Sequence, residues 1–87
     1  MYMNRTLVII TPSINNKNYK DAINKYNKNK KRFDKRFVNL KVIKSNNTFK
    51  IFLIGFDGEI KKKYSKFSTS KIINDIESMP MGQYYRF

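Results

Sequence analysis

The sequence predicts an α/β fold in which helices pack on a mixed β-sheet. Short runs of β-branched and aromatic residues predict strands at residues 6–11, 36–43, 49–54 and 60–67. Apolar residues that recur every three or four positions predict one helix at residues 17–33 and another between Ser70 and Pro80. The predicted order is therefore β-α-β-β-β-α, a parallel βαβ half followed by an antiparallel ββα half.

The first strand and helix follow from polarity patterns. Residues 6–11 are apolar and β-branched, so we expect a strand buried on both faces, and Pro12 ends the run. The Asn-rich residues 13–18 predict a turn. The helix that follows has one apolar stripe, made of Tyr19, Ala22, Ile23, Tyr26 and Phe33. We expect this helix to cross over in the right-handed sense and lead into a parallel second strand.

Residues 49–60 are the segment around which the rest of the fold is organised. Ile51 and Leu53 lie on one face of this predicted strand, and Phe52 and Ile54 lie on the other. Because both faces are apolar, we expect a central strand buried on both sides. An Asp-Gly turn then leads to a lysine-rich run at residues 60–67, which is typical of an edge strand protected by charge.

The last helix has an apolar stripe of Ile72, Ile73, Ile76 and Met79, preceded by N-cap hydroxyls at residues 68–70. The aromatic tail at residues 82–87 is predicted to dock on its own domain or a partner, or to be disordered. With 87 residues the chain has room for one domain, which we assign to 1–87 with an ordered core at about 5–81.

The composition argues against an enzyme. The chain has no cysteine and no histidine, so it lacks thiol chemistry, the usual zinc ligands and the commonest general base. Because the six acidic residues are scattered along the sequence, we do not expect a metal site made of carboxylates. We therefore predict a non-catalytic protein without a cofactor or metal.

The net charge is +13, from 19 basic and 6 acidic residues. Such a charge favours a polyanionic partner. The alternative is compositional drift, because Asn, Lys and Ile are all abundant in the sequence. The distribution favours binding, since residues 17–36 contain nine bases and two acids whereas residues 68–87 contain two of each.

The predicted polyanion-binding residues lie on the first helix and on the lysine-rich hairpin strand. They are Lys25, Lys28, Lys31, Arg32, Lys35, Arg36, Lys61 and Lys63. The helical residues would neutralise phosphates and release counterions. The alternative for them is a solvated helix face, and for the hairpin lysines it is protection of a sheet edge.

Thr11 and Ser13 are a candidate anion-binding loop. They follow the first strand and precede the first helix, where backbone N–H groups can hold an anion. The alternative is an ordinary capping loop, because there is no Gly-rich phosphate loop. Ser13 has no histidine to activate it as a nucleophile.

Targeting signals are not evident in the sequence. The short apolar run at residues 7–10 is not followed by a small-residue cleavage site, so we expect no signal peptide and favour an intracellular location. No run approaches membrane-spanning length. Oligomeric state is left open between a monomer and part of a larger assembly.

Residues 52–61, together with the final helix and the Asp75 to Met81 segment, resemble the C-terminal half of the DUF4174 family. That family is described as a thioredoxin-like or peroxiredoxin-like domain of extracellular-matrix proteins and uncharacterised bacterial proteins. The resemblance implies a minimal thioredoxin-like fold. It implies no redox activity, because Thr11 to Ile14 stand where redox-active relatives carry cysteine.

Two functions follow from these observations. The resemblance suits a non-catalytic thioredoxin-like domain whose basic surface binds a polyanion or an acidic protein. The composition suits a small RNA-associated or ribosome-associated protein.

Overall fold

The elements of the computed structural model follow the predicted order with one additional helix. The structure describes residues 4–45 and 48–78. The elements are β1 (Arg5–Thr11), α1 (Lys17–Lys28), α2 (Lys30–Lys35), β2 (Val38–Lys44), β3 (Lys50–Ile54), β4 (Ile60–Tyr64) and α3 (Thr69–Glu77). The α/β class is confirmed. Predictions for Met79, Pro80 and the aromatic tail concern residues outside those described.

The four described strands form one mixed sheet in the order β2-β1-β3-β4. β1 pairs in parallel with β2 and antiparallel with β3, and β3 pairs antiparallel with β4. The parallel βαβ half and the lysine-rich edge strand β4 are therefore confirmed. β1 and β3 occupy the middle of the sheet, and a central position was predicted for β3 from its apolar sequence.

The helices pack on one face of this sheet. Leu7 and Ile9 of β1 and Ile51 and Leu53 of β3 are fully buried and belong to a single core cluster. The same cluster contains the buried apolar residues of α1, α2 and α3, which are Ala22, Tyr26, Phe33, Ile72, Ile73 and Ile76. Alternate strand residues point to opposite faces, so the helices all cover the face that bears Leu7 and Ile51.

The prediction that β3 is buried on both sides is wrong for its second face. Phe52 and Ile54 are only half-buried and lie outside the core cluster. The reason is the short connection between Lys44 and Lys50, which leaves no room for a helix to cross that face. The expectation that β1 is buried on both faces is met on this second face only at Val8, which is 6% exposed because adjacent strands shield it, whereas Thr6 and Ile10 are half-buried.

The single helix predicted at residues 17–33 is interrupted at Asn29. Its side chain donates a hydrogen bond to the carbonyl oxygen of Lys25 at 2.9 Å, and its backbone N–H donates to Tyr26 at 3.1 Å. Such local bonds compete with regular helix hydrogen bonding. The aromatic stripe survives the break, since the rings of Tyr26 and Phe33 stack with centroids 5.0 Å apart.

The second strand begins two residues later than predicted. Arg36 is the C-cap of α2, and Phe37 has a φ of 58°, in the left-handed region that a bulky residue rarely adopts. The carbonyl oxygen of Phe37 accepts a hydrogen bond from Arg5 N–H at 2.7 Å, which sets the start of the parallel pairing. Phe37 itself is 60% exposed.

The predicted Asp-Gly turn is confirmed in the β3–β4 hairpin. Gly58 has a φ of 81°, a conformation that glycine adopts without strain. Its N–H donates a hydrogen bond to the carbonyl oxygen of Gly55 at 3.0 Å, and the N–H of Gly55 donates to the carbonyl oxygen of Glu59 at 3.0 Å. The register shifts between Leu53 and Ile54, so the hairpin carries an irregularity at its closed end.

Tyr64 joins the edge strand to the last helix. Its ring is buried, and its hydroxyl donates to the Asp75 carboxylate at 2.7 Å. Burial raises the pKa of Tyr64, and the hydrogen bond to Asp75 raises that pKa further. The neutral phenol is therefore the form that the folded protein favours.

Replacing Tyr64 by Phe should lower the free energy of unfolding by about 1.5–3 kcal/mol, the usual contribution of a hydrogen bond to a charged group. The folded-state pKa of Tyr64 lies above the unfolded value of about 10, so this stabilisation is complete below about pH 10 and declines at higher pH. Urea unfolding between neutral and alkaline pH measures both effects. Tyr19→Phe is the control, since Tyr19 packs against the core without a hydroxyl hydrogen bond in the described part of the chain. Equal stability of the two variants would contradict this role for Tyr64.

Candidate polyanion interface

The side chain of Lys25, which is 43% exposed, has two partners at the protein surface. Its ammonium donates to the carbonyl oxygen of Phe67 at 3.1 Å and forms an ion pair with Asp21 at 3.0 Å. The first contact ties α1 to the loop before α3. Of the predicted polyanion-binding residues, Lys25 therefore has an evident structural role.

Arg36 also has a structural role. One guanidinium nitrogen lies 2.7 Å from the Glu77 carboxylate of α3, and another donates to the carbonyl oxygen of Arg32 at 2.8 Å. Its side chain is 24% exposed. Arg36 thus connects the end of α2 to the end of α3, and little of its charge faces solvent.

The remaining predicted helical residues are exposed cations around the α1–α2 junction. Lys28, Lys31 and Lys35 have no ion pair within the described residues, and Arg32 donates only to the neutral Asn29 side chain at 3.1 Å. Lys31 and Lys35 are four residues apart in α2 and so share a side of that helix. We call Lys28, Lys31, Arg32 and Lys35 the helical cation cluster.

The two predicted hairpin lysines have different surroundings. The Lys61 ammonium lies 2.6 Å from the Asp57 carboxylate and 3.8 Å from that of Glu59. The hydrogen bond from Lys61 lowers the pKa of Asp57, and the same bond raises the pKa of Lys61. Two local carboxylates therefore offset the charge of Lys61, whereas Lys63 is exposed and lies opposite Phe52 in the strand register.

The helical cations and Lys63 do not form one patch. α1 and α2 pack on the face that bears Leu7, whereas Lys63 pairs with Phe52, whose side chain lies on the other face. The sheet therefore separates the two groups. An extension of the helical patch onto Lys63 is inconsistent with this geometry.

The Thr11 and Ser13 loop has the geometry of a capping loop. Thr11 is fully buried, and its hydroxyl donates to the carbonyl oxygen of Ser13 at 2.8 Å. Asn16, not Ser13, caps α1, because its side chain accepts from the N–H of Tyr19 at 3.0 Å. The Thr11 hydroxyl and this helix N–H already have protein partners, so the geometry favours the capping alternative over an anion site.

Sequence reasoning missed two lysines on the sheet. Lys41 of β2 and Lys50 of β3 are exposed and lie on the same face as Phe52 and Lys63. The alternation of residues along each strand indicated which strand residues share a face with each lysine. That lysines of different strands lie on one face could be seen only once the strand order and register were known.

Other kinds of site find no support in residues 4–45 and 48–78. No group of acidic residues there could hold a metal ion. In the same residues, no helix combines the length and apolar character needed to cross a membrane. Comparisons with family models, curated proteins and solved structures find no match. The DUF4174 resemblance and its thioredoxin-like fold therefore stay predictions.

Arg36→Ala should lower the free energy of unfolding by about 1 kcal/mol, because it removes a partly exposed ion pair between α2 and α3 and a local hydrogen bond to Arg32 at the end of α2. Lys35→Ala removes an adjacent exposed cation and should change stability by less than about 0.5 kcal/mol. Urea unfolding of both variants at one salt concentration makes the comparison. Equal effects would contradict the structural role of Arg36.

Proposed function

We propose that this protein is a non-catalytic, thioredoxin-like binding domain that engages a polyanion through the helical cation cluster. The observation that carries the proposal is the pairing of the helical charges. Lys25, Lys30 and Arg36 are matched with carboxylates, whereas the four cations of the cluster are exposed and have no carboxylate partner within the described residues.

The unpaired charges are concentrated in a short segment. Residues 28–35 contain the whole cluster, with Asp34 as the one acid in that stretch, and Asp34 pairs with Lys30 at 3.1 Å. Closely spaced cations displace condensed counterions when they meet a polyanion, and that release drives association. This concentration favours binding over compositional drift.

The composition and topology support a binding role. The sequence contains no histidine or cysteine to act as base or nucleophile. A βαβ half followed by a ββα half is compatible with the thioredoxin-like fold that the family resemblance implies. An acidic protein is an alternative partner for the same cations, since carboxylates would satisfy them as phosphates do.

Changing Lys28, Lys31 and Lys35 together to Gln should weaken binding to a short duplex DNA and flatten its salt dependence. Loss of three phosphate contacts should reduce the slope of log K against log salt by roughly 2–3, measured between about 50 and 200 mM salt. Fluorescence anisotropy of a labelled duplex gives both affinity and slope.

The matched control removes the same charge elsewhere on the helices, by changing Lys17, Lys20 and Lys71 to Gln. These residues are exposed and lie outside the cluster. The control should keep most of the original slope. If both triple variants lose affinity and slope equally, binding depends on net charge alone and the helical cation cluster is not the site.

A further inference from the structure

The sheet face opposite the helices forms a second surface that the helical cation cluster does not use. It consists of Thr6, Val8 and Ile10 of β1, Asn39, Lys41 and Ile43 of β2, Lys50, Phe52 and Ile54 of β3, and Ile60 and Lys63 of β4, and we call it the open face. Most of these residues line one shallow groove. No element in the described part of the chain covers it.

The strand register places an aromatic ring between two lysines. Val8 is paired with Lys41 on one side and Phe52 on the other, and Phe52 is paired in turn with Lys63. One row across the sheet is thus Lys41, Val8, Phe52 and Lys63. With about 4.8 Å between adjacent strands, the outer lysine backbones are roughly 14 Å apart.

A third lysine lies beside the ring along the sheet. Ile10 pairs with Lys50 of β3 and with Ile43 of β2, which forms the neighbouring row. Lys50 lies two residues before Phe52, so its side chain points to the same face. The half-buried Phe52 therefore has Lys63 and Lys50 as neighbours on the open face, and Lys41 lies one strand further away, beyond Val8.

Acidic residues are absent from the open face. Four of the six acids lie on the helices, as Asp21, Asp34, Asp75 and Glu77. The other two, Asp57 and Glu59, lie in the β3–β4 turn beside Lys61. Lys41, Lys50 and Lys63 are exposed and have no ion pair among the described residues.

We infer that the open face binds single-stranded nucleic acid, with a base stacked on Phe52 and backbone phosphates near Lys41, Lys50 and Lys63. Stacking on an aromatic ring flanked by cations is how proteins bind single strands without sequence preference. A duplex keeps its bases stacked inside and cannot present one to Phe52. The inference goes beyond the helical cation cluster and rests on a different surface.

Charge also argues against a second copy of the chain as the occupant. Face-to-face pairing of two sheets would bring two sets of Lys41, Lys50 and Lys63 together with no carboxylate between them in the described residues. A polyanionic strand turns the same charges into attractive contacts. Charge complementarity therefore selects the single strand.

The test uses the full chain and a fluorescently labelled oligouridylate, which has no stable secondary structure. Phe52→Leu keeps an apolar side chain and removes the aromatic ring, and it should weaken oligouridylate binding about tenfold. Phe52→Tyr keeps an aromatic ring at this position and should bind oligouridylate with nearly the original affinity. Phe37→Leu is the matched control, because Phe37 is 60% exposed and lies outside the open face.

The lysines are tested by their salt dependence. Lys41→Gln and Lys63→Gln should each reduce the slope for oligouridylate by about 0.7, the value for one contact to a single strand. Binding of duplex DNA should be unchanged in Phe52→Leu. It should fall in the variant that lacks Lys28, Lys31 and Lys35, so the two surfaces are measured separately.

Several results would overturn the inference. If Phe52→Leu binds oligouridylate as tightly as the original chain, no base stacks on that ring. This result would not bear on the helical cation cluster, which is tested separately with duplex DNA. Sedimentation equilibrium that shows a dimer dissociated by Phe52→Leu would identify a second copy as the occupant. Equal loss of oligoglutamate and oligouridylate binding in that variant would identify an acidic chain as the partner.

Discussion

The structure depends on the burial of every helical apolar stripe against one face of the sheet. Phe33 holds this arrangement together, since its ring stacks on Tyr26 of α1 and meets Phe67, before α3, edge-on with centroids 6.0 Å apart. Each large apolar side chain that is fully buried contributes roughly 1.5–3 kcal/mol. In a small domain with one modest core, such contacts decide whether the chain folds.

This one-sided packing also sorts the charges. The helices carry four carboxylates, and three of them pair with Lys25, Lys30 and Arg36 across or along the helical layer. The opposite face has lysines with no described acid beside them. The basic charge of the chain thus includes a helical layer that is partly neutralised and a sheet face that has no neutralising acid among its described residues. The proposed binding rests on this distribution and not on the total charge alone.

Local patterns were sufficient to predict most of the elements. Periodicity identified the buried stripe of α3, and the Asp-Gly pair identified the hairpin turn at Gly58. Periodicity did not indicate the break at Asn29, because the apolar spacing continues through it to Phe33. The left-handed conformation of Phe37 is likewise set by its surroundings, since no turn residue marks it.

The candidate site was harder to predict from the sequence, because tertiary contacts decide which basic residues are paired and which are free to bind. Lys25 and Arg36 looked equivalent to Lys28 and Lys35 in a run of basic residues. Their partners, Phe67 and Glu77, lie 42 and 41 residues further along the chain. The open face could be predicted only after the short connection after β2 was recognised as leaving that face without a helix.

Hydroxyl-radical footprinting of the free protein tests the one-sided packing most directly, because it reports which rings are in contact with solvent. The account predicts that Phe52 is oxidised well above the rate for Phe33 and Phe67, which are 0% and 2% exposed. Exposed Phe37 supplies the upper reference. Protection of Phe52 to the level of Phe33 would show that its face is covered, and it would contradict the account.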